Sequence, residues 1–371
     1  MLKRLRAAAA DYIRSTDRLT WGLCLGLSAF GFLLLAGLYK VGFATRRHLA
    51  VQAAAVCLGL VTAYVLSRID YEALANLWKL YVPLAYGLVA ATFIIGVARG
   101  DDRAWINIGG FSLQPAELLK VAFILSFSLH LSKVQGQLDK PRQLLLLCLH
   151  GAFPVLLIHF QGDDGTALML ALIFVSMLFA AGISWRYVLY AVGAAVALSP
   201  LFWLFFLNAD QRSRILIFFN PEMDPQSYGY QQLNSLMAIG SGQLRGVGLF
   251  SGEHVYVPEI RNDFIFAYVG NSLGFIGCLG VCAVLGLLCA RLLSNAYHAR
   301  DPLGTYICVG AFAMVAFQTV FNIGMCLSVL PVIGITLPFL SSGGTSVVAL
   351  YAAMGMVISV RMRSSTKMFS S

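Results

Sequence analysis

Charge is what this sequence has least of. Only 12% of its 371 residues are Asp, Glu, Lys or Arg, about half the share of a soluble domain. The apolar share is 59% and the mean hydropathy is +0.78. That combination excludes a soluble enzyme and a disordered chain. The net charge is +9, but no dense basic patch supplies phosphate contacts, so no nucleic acid is expected as a partner. Cysteine is missing from every polar segment. All eight lie in apolar runs, and no disulfide framework follows. Cys278 and Cys282, one helical turn apart, read as small packing residues. Zinc and metalloprotease motifs are absent, and His150 and His159 fall on opposite faces of one helix. The glycines of 240–242 and 246–248 follow no strand, which excludes a dinucleotide loop. No internal repeat or low-complexity tract is visible.

What remains is a series of long uncharged runs. A helix crossing a bilayer needs about 20 mostly apolar residues, and the runs predict spans at 19–39, 49–67, 80–98, 143–162, 165–185, 187–209, 264–290, 303–330 and 338–360. The last two share one uncharged stretch, with Pro331 and Pro338 bracketing the turn. A tenth span, 115–132, reaches across only if it starts at Pro115, which suits a first helical position. This extension draws Glu117 and Lys120 into the membrane. The expected fold is an all-α integral membrane protein: a single membrane domain over 1–371, with ten transmembrane helices and a large extracytoplasmic loop, 208–262, between the seventh and eighth. An even number of spans puts both termini on one side. Most Lys and Arg then fall on that side, which makes it cytoplasmic, although Lys40, Arg46 and Arg47 in the first external loop run against the trend. No small-residue cleavage site follows the first apolar run, which reads as an uncleaved span.

The candidates for chemistry gather on the external side. The loop 208–262 carries charges, Gly, Pro and short apolar runs that suit a membrane surface. It ends at Asp263, the last charge before the eighth span. A carboxylate there could serve as a base on a headgroup, or merely cap the helix; the residues alone leave both open. Glu117 and Lys120, three apart on one helix face, are placed to pair, either in function or as a structural brace. Asp163 and Asp164 are vicinal carboxylates in an external turn. They suit a divalent cation, magnesium or manganese, or a cap on the next helix. Arg46, Arg47, Arg103, Arg212 and Arg214 would suit a pyrophosphate if they converged, or lipid headgroups if they did not.

Several strings carry a resemblance. Gln114-Pro115-Ala116-Glu117-Leu118-Leu119-Lys120 resembles the Gln-Pro-Ser-Glu-x-x-Lys motif of the SEDS family (shape, elongation, division and sporulation proteins of the RodA, FtsW and SpoVE type). Arg103 and Trp105 precede it, as the family's Arg-Arg-Trp segment would, with Ala104 in place of the second Arg. Asn220-Pro221, Asp224-Pro225, Gly229-Tyr230-Gln231 and Ala238-Ile239-Gly240-Ser241-Gly242 resemble its large loop. Asn262-Asp263-Phe264-Ile265-Phe266-Ala267 is similar to its Thr-Asp-Phe-Ile-Phe-Ala. Asn322-Ile323-Gly324, Pro331 and Ser341-Ser342-Gly343-Gly344-Thr345-Ser346 fit its last two spans. In length the chain is nearest the RodA type.

The resemblance implies a peptidoglycan glycosyltransferase of the bacterial cytoplasmic membrane. Such an enzyme polymerises lipid II at the outer face for shape, division or sporulation, beside a class B penicillin-binding protein. It implies Asp263 as catalytic base. Arg47, Arg103, Glu117, Lys120, Asp163, Arg212 and Arg214 become substrate-site residues, and Asp163 and Asp164 candidate metal ligands. The departures are Ala116, Gly162, Asp164, Asn234, Arg261 and, above all, Asn271-Ser272 where the family carries a Glu-containing pair. Two other readings of the same fold are a lipid-linked precursor flippase and a non-catalytic scaffold for the penicillin-binding protein.

Overall fold

The computed structural model describes residues 11–99, 102–109, 111–205, 212, 213, 216 and 228–364. The described helices are α1 (Arg18–Lys40), α2 (Arg46–Arg68), α3 (Tyr71–Asn76), α4 (Trp78–Ile95), α5 (Pro115–Lys133), α6 (Pro141–Phe160), α7 (Asp164–Ala180), α8 (Trp185–Phe205), α9 (Tyr228–Ser241), α10 (Ile265–Tyr297), α11 (Pro302–Cys326) and α12 (Gly344–Ser364). Eight of them, α1, α2, α4, α5, α6, α10, α11 and α12, are long and apolar enough to cross a membrane. The apolar helices α7 and α8 lie between α6 and the large loop. The chain is a multi-pass membrane protein.

Helices α5 and α12 form the middle of the bundle and are buried over most of their length. Helix α12 packs along α2, α5 and α11, while α11 also meets α5, α7 and α10. The central place of α5 explains how it carries Glu117 and Lys120 at membrane depth. Both face protein rather than lipid, where an ion is costly.

Three features differ from the sequence expectation. First, the fold is not wholly helical. Between α4 and α5 lies a small antiparallel sheet, β1 (Val97–Arg99), β2 (Asp102–Ile108) and β3 (Phe111–Leu113). In the β2–β3 pair, Ile108 is opposite Phe111 and Ile106 opposite Leu113. Along β2 the side chains alternate, Arg103 and Asn107 exposed, Ala104 and Ile106 buried. That period of two is the strand signal, and a search for 20-residue apolar runs passes over it.

Second, the last two spans are shorter than expected. Helix α11 ends at Cys326 and α12 begins at Gly344. Residues 327–343 are not a tight turn but an irregular segment that folds back into the protein. Val332, Ile335, Leu337, Phe339, Leu340 and Ser341 are all buried. Pro331, Pro338 and the positive φ of Gly334 and Phe339 keep it from being helical. Its backbone polar groups find partners inside: Asn322 Nδ2 donates to the Ile335 carbonyl (2.7 Å), and Ser341 Oγ accepts from Leu337 N–H (2.8 Å). Irregular chain within a bundle requires this internal satisfaction.

Third, the eighth expected span is a broken helix. Gly274 has φ 66 and ψ −163 in the middle of α10, a conformation essentially confined to glycine. The turn 243–248 that follows α9 inserts at the break. Phe275 N–H donates to the Gln243 carbonyl (2.8 Å) and Ile276 N–H to the Leu244 carbonyl (3.3 Å). From the other side, Val247 N–H donates to Asn271 O (3.0 Å) and Gly248 N–H to Ser272 O (2.9 Å). The inserted turn therefore satisfies the amides and carbonyls that the break frees. Asn271-Ser272, the departure that stood out in the sequence, sits in this broken turn. Asn271 Nδ2 donates to Ser241 Oγ (2.7 Å), and Asn271 Oδ1 accepts from His254 Nδ1 (2.5 Å). In this chain the pair locks the inserted turn to α10. The C-terminal part of the 208–262 loop is thus packed into the bundle, with Gln232, Ser235, Ala238, Val257 and Ile260 buried, instead of lying over a membrane surface.

A β-carbon at Gly274 would come within 2.5 Å of Gly246 N and Leu244 C. Gly274→Ala is therefore expected to destabilise the protein, by about 1–3 kcal/mol from backbone strain alone and by more from the clash. The measurement is the melting temperature of the purified protein in detergent, with membrane accumulation beside it.

Candidate active site

Asp263 stands between the end of the large loop and α10, and its backbone is fastened on three sides. The Glu259 carbonyl, at a residue with φ 52, accepts from the N–H groups of Asn262 (2.9 Å), Asp263 (3.1 Å) and Phe264 (3.3 Å). The irregular 327–343 segment grips the preceding residues: Ser342 N–H donates to Arg261 O (2.9 Å) and Ser341 Oγ to Asn262 O (2.5 Å). From α11, Asn322 Nδ2 donates to the Asp263 carbonyl (2.7 Å). The main chain is held while the carboxylate is left over. No hydrogen-bond donor among the described residues reaches it. Asp263 is not a helix cap, because the N-cap of α10 is Phe264 and no side-chain cap bond is made.

This carboxylate has an unusual electrostatic setting. Burial, reinforced by the negative charges of Glu259 and Asp163, pushes its pKa up to about 7. A group in that range can both take and release a proton near neutrality. Asp163 lies at the start of α7, where its Oδ1 accepts from Thr166 N–H (2.9 Å) as the N-cap. Its Oδ2 accepts from Gln114 Nε2 (2.6 Å) at the start of α5. Burial raises the Asp163 pKa, while Thr166, Gln114 and the charge of Lys120 pull it down. Lys120 Nζ is 2.8 Å from Glu117 Oε1, with side chains 1% and 7% exposed. The Gln114–Lys120 string therefore acts as one unit: Gln114 holds Asp163, Pro115 starts the helix, and Glu117 holds Lys120 in the field of Asp163. The 327–343 segment joins this unit to the carboxylate. A β-carbon on Gly165 would strike the Ile333 carbonyl, and one on Gly334 would lie 3.7 Å from Asp263 Oδ2.

Cations approach from another side. His48, in the first turn of α2, lies in the combined field of Arg261, Arg47 and Glu259. Arg261 Nη2 is 3.9 Å from Glu259 Oε2. Arg47 and Arg261 thus share surroundings with the acid that borders Asp263. Arg103 is exposed on β2. Arg212 donates from Nη2 to the Leu204 carbonyl at the end of α8 (3.0 Å). No contact brings either of them to Asp263, and Arg214 lies outside the described residues.

The vicinal chelate expected of Asp163 and Asp164 is not formed. Successive residues entering a helix point apart, and here both oxygens of Asp163 serve Thr166 and Gln114 while Asp164 Oδ1 pairs with His159 Nδ1 (2.6 Å). Among the described residues no three His, Cys, Asp or Glu side chains converge on a metal site. The oxygens of Asp163 and Asp164 engaged in this way do not make a donor set that fits a divalent ion. His150, set apart from His159 on its helix, pairs with His130 instead (Nδ1 to Nδ1, 3.1 Å).

Gln114, Glu259, Arg261, Asn322 and Ser341 belong to the site and were not singled out for it from the sequence. Gln114, Asn322 and Ser341 stand inside the strings that carry the family resemblance, and Arg261 immediately precedes one. Glu259 carries no such signal.

The cell cycle protein family of FtsW, RodA and SpoVE matches residues 17–366. This chain belongs to the SEDS family. Among its relatives, the probable peptidoglycan glycosyltransferase FtsW of Geobacter metallireducens is 33% identical, over 92% of this chain and 93% of that protein. The peptidoglycan glycosyltransferase MrdB of Escherichia coli K12 is 34% identical, over 82% of this chain and 83% of that protein. The fold is similar to a chain of a solved peptidoglycan synthase complex described as coordinating polymerization and crosslinking. The TM-score is 0.81 at 28% identity, covering 94% of this chain and 98% of that one. The SEDS membership covers both halves of the site, from Gln114 just before α5 to Ser341 before α12.

Proposed function

We propose that this protein is a peptidoglycan glycosyltransferase that polymerises lipid II, with Asp263 as its general base. The observation that carries the reading is the Asp263 carboxylate itself: backbone fixed, side chain without a donor among the described residues, pKa near 7, in a SEDS chain whose relatives carry that activity in their names. Asp263 accepts the proton of the acceptor's GlcNAc 4-hydroxyl. The oxygen attacks C1 of the donor's MurNAc, undecaprenyl pyrophosphate departs, and the anomeric centre inverts. Arg47 and Arg261 supply positive charge where the pyrophosphate accumulates negative charge. Lys120, held by Glu117, steadies Asp163 and so sets part of the field felt by Asp263.

Both termini are cytoplasmic in this reading, and the Asp263 end faces outward. Arg14 near the start of the described chain and Arg361 near its end share one cavity, which puts the two at the same end of the bundle. A class B penicillin-binding protein is the proposed partner, supported by the likeness to a synthase complex that couples polymerization with crosslinking. Asn271-Ser272 does not favour a non-catalytic scaffold, because the pair serves the helix break rather than Asp263.

The test is incubation of the purified protein, alone and with its co-expressed partner, with labelled lipid II. A ladder of glycan strands is expected. Movement of lipid II across vesicles without any polymer would instead support the flippase reading. The rate should rise with pH on a limb centred near 7, because only ionised Asp263 is a base. Glu259→Gln removes one charge that holds this pKa up, so it should move the limb to lower pH. An unmoved limb would separate Glu259 from the site.

A further inference from the structure

A second, unrelated concentration of charge lies at the far end of the bundle. Helix α10 carries Arg291 about 40 Å beyond its start at Ile265, at 1.5 Å per residue. There, Arg14, Asp17, Arg18, Leu19, Arg291 and Arg361 line an open cavity of about 380 Å³ where α1, α10 and α12 meet. Four guanidinium groups face one carboxylate, and that carboxylate is already used. Asp17 accepts from Arg291 Nε (3.0 Å) and Nη2 (2.9 Å), from Asn295 Nδ2 (2.8 Å) and from Thr20 Oγ1 (2.6 Å). Burial opposes its ionisation, yet these bonds hold its pKa below the usual value. Asp17 is therefore a fixed anion that orients Arg291 and neutralises only one cation. Arg18 donates from Nε to the Ile13 carbonyl (2.7 Å). Arg14 and Arg361 have neither a hydrogen bond nor an ion pair among the described residues.

The surface beside these arginines is apolar. Leu19, in the cavity wall, is 45% exposed. Leu287 is one turn before Arg291 on the same face of α10 and is 49% exposed. A group that fits must offer negative oxygens to several guanidiniums and hydrocarbon to the outer wall. We propose that this cavity binds the phosphate of an anionic membrane phospholipid, with Arg14, Arg18 and Arg361 as its cations and the acyl chains running along Leu19 and Leu287. Planar guanidinium groups suit phosphate oxygens, and a lipid phosphate at the membrane boundary lies where a basic cavity between helix ends can reach it.

The experiment uses the full-length protein purified in detergent, delipidated, and titrated with phosphatidylglycerol or phosphatidylcholine, with bound lipid counted by native mass spectrometry. Phosphatidylglycerol should be retained in preference to phosphatidylcholine. Arg14→Gln with Arg361→Gln should cut that retention at least tenfold, and Arg14→Gln alone, at an exposed position, should give an intermediate loss. Lys140→Gln with Arg142→Gln removes two charges from the same end of the bundle and should leave retention unchanged. Equal retention in both double variants would overturn the site. Displacement of the lipid by millimolar inorganic phosphate or glycerol phosphate would assign the anion to solution and overturn the lipid. Neither outcome depends on polymerase activity.

Discussion

Removing either member of the Glu117–Lys120 pair is expected to cost the protein both stability and activity. The two side chains are almost fully buried in the central helix of the bundle and are 2.8 Å apart. Breaking a buried ion pair from one side leaves an uncompensated charge, typically at a cost of about 3–5 kcal/mol. Glu117 Oε2 already lacks a hydrogen-bond donor among the described residues, so no spare donor is at hand for the carboxylate that Lys120→Ala would leave alone. Lys120→Ala and Glu117→Ala should each lower accumulation in the membrane and the melting temperature of what is recovered. The exchanged pair, Glu117→Lys with Lys120→Glu, separates two roles. It restores a neutral pair on one helix face and should recover much of the accumulation. It also replaces the cation acting on Asp163 with an anion, so polymerisation should remain well below wild type. Full activity in the exchanged protein would limit Lys120 to bracing the bundle. Wild-type accumulation in both alanine variants would remove even that role.

The parts of this architecture that were legible in the sequence are those written over short distances. Uncharged runs marked the long helices, since each must match the thickness of a bilayer. The spacing of Glu117 and Lys120 was enough to pair them, and Pro115 marked the start of α5. The rest depends on contacts between distant segments. Nothing near Gly274 signals that α10 is broken, because a lone glycine in an apolar helix is ordinary. What stabilises the break is a turn some thirty residues earlier. The uncharged run from 302 to 360 concealed an irregular segment, since buried irregular chain is as apolar as a span. Only the cluster of Pro331, Gly334 and Pro338 hints at it. The influence of Asp163 on Asp263 links residues a hundred positions apart. It follows from Gly165 and Gly334, whose lack of side chains lets the start of α7 and the 327–343 segment close around the carboxylate. The divalent site failed for a local reason that the pattern did not reveal: an aspartate that caps a helix has its oxygens turned to that helix.

The same geometry sharpens what Asp263 can be. In the sequence its carboxylate had two readings, a base or a cap. The structure removes the cap, because α10 begins without a side-chain bond from Asp263. A raised pKa also means that ionising this group opposes folding. Its folded pKa, about 7, is above the ordinary carboxylate value of 3.8. Stability from this residue is therefore greatest with the group protonated, and falls as pH rises from the unfolded pKa toward the folded one. An uncharged amide in its place should leave the protein at least as stable at neutral pH. Proton abstraction is the use proposed for a carboxylate kept at that cost.

The most direct test is the rate at which purified Asp263→Asn polymerises purified lipid II, measured beside wild type at pH 7.5 and referred to equal amounts of folded protein. Asn keeps the size and shape of Asp but cannot accept the proton. The expected loss is at least a hundredfold, within the range of about 10²–10⁴ that a general base contributes, with membrane accumulation and melting temperature no lower than wild type. Polymerisation by Asp263→Asn at close to the wild-type rate would contradict the account and leave the reaction without its base.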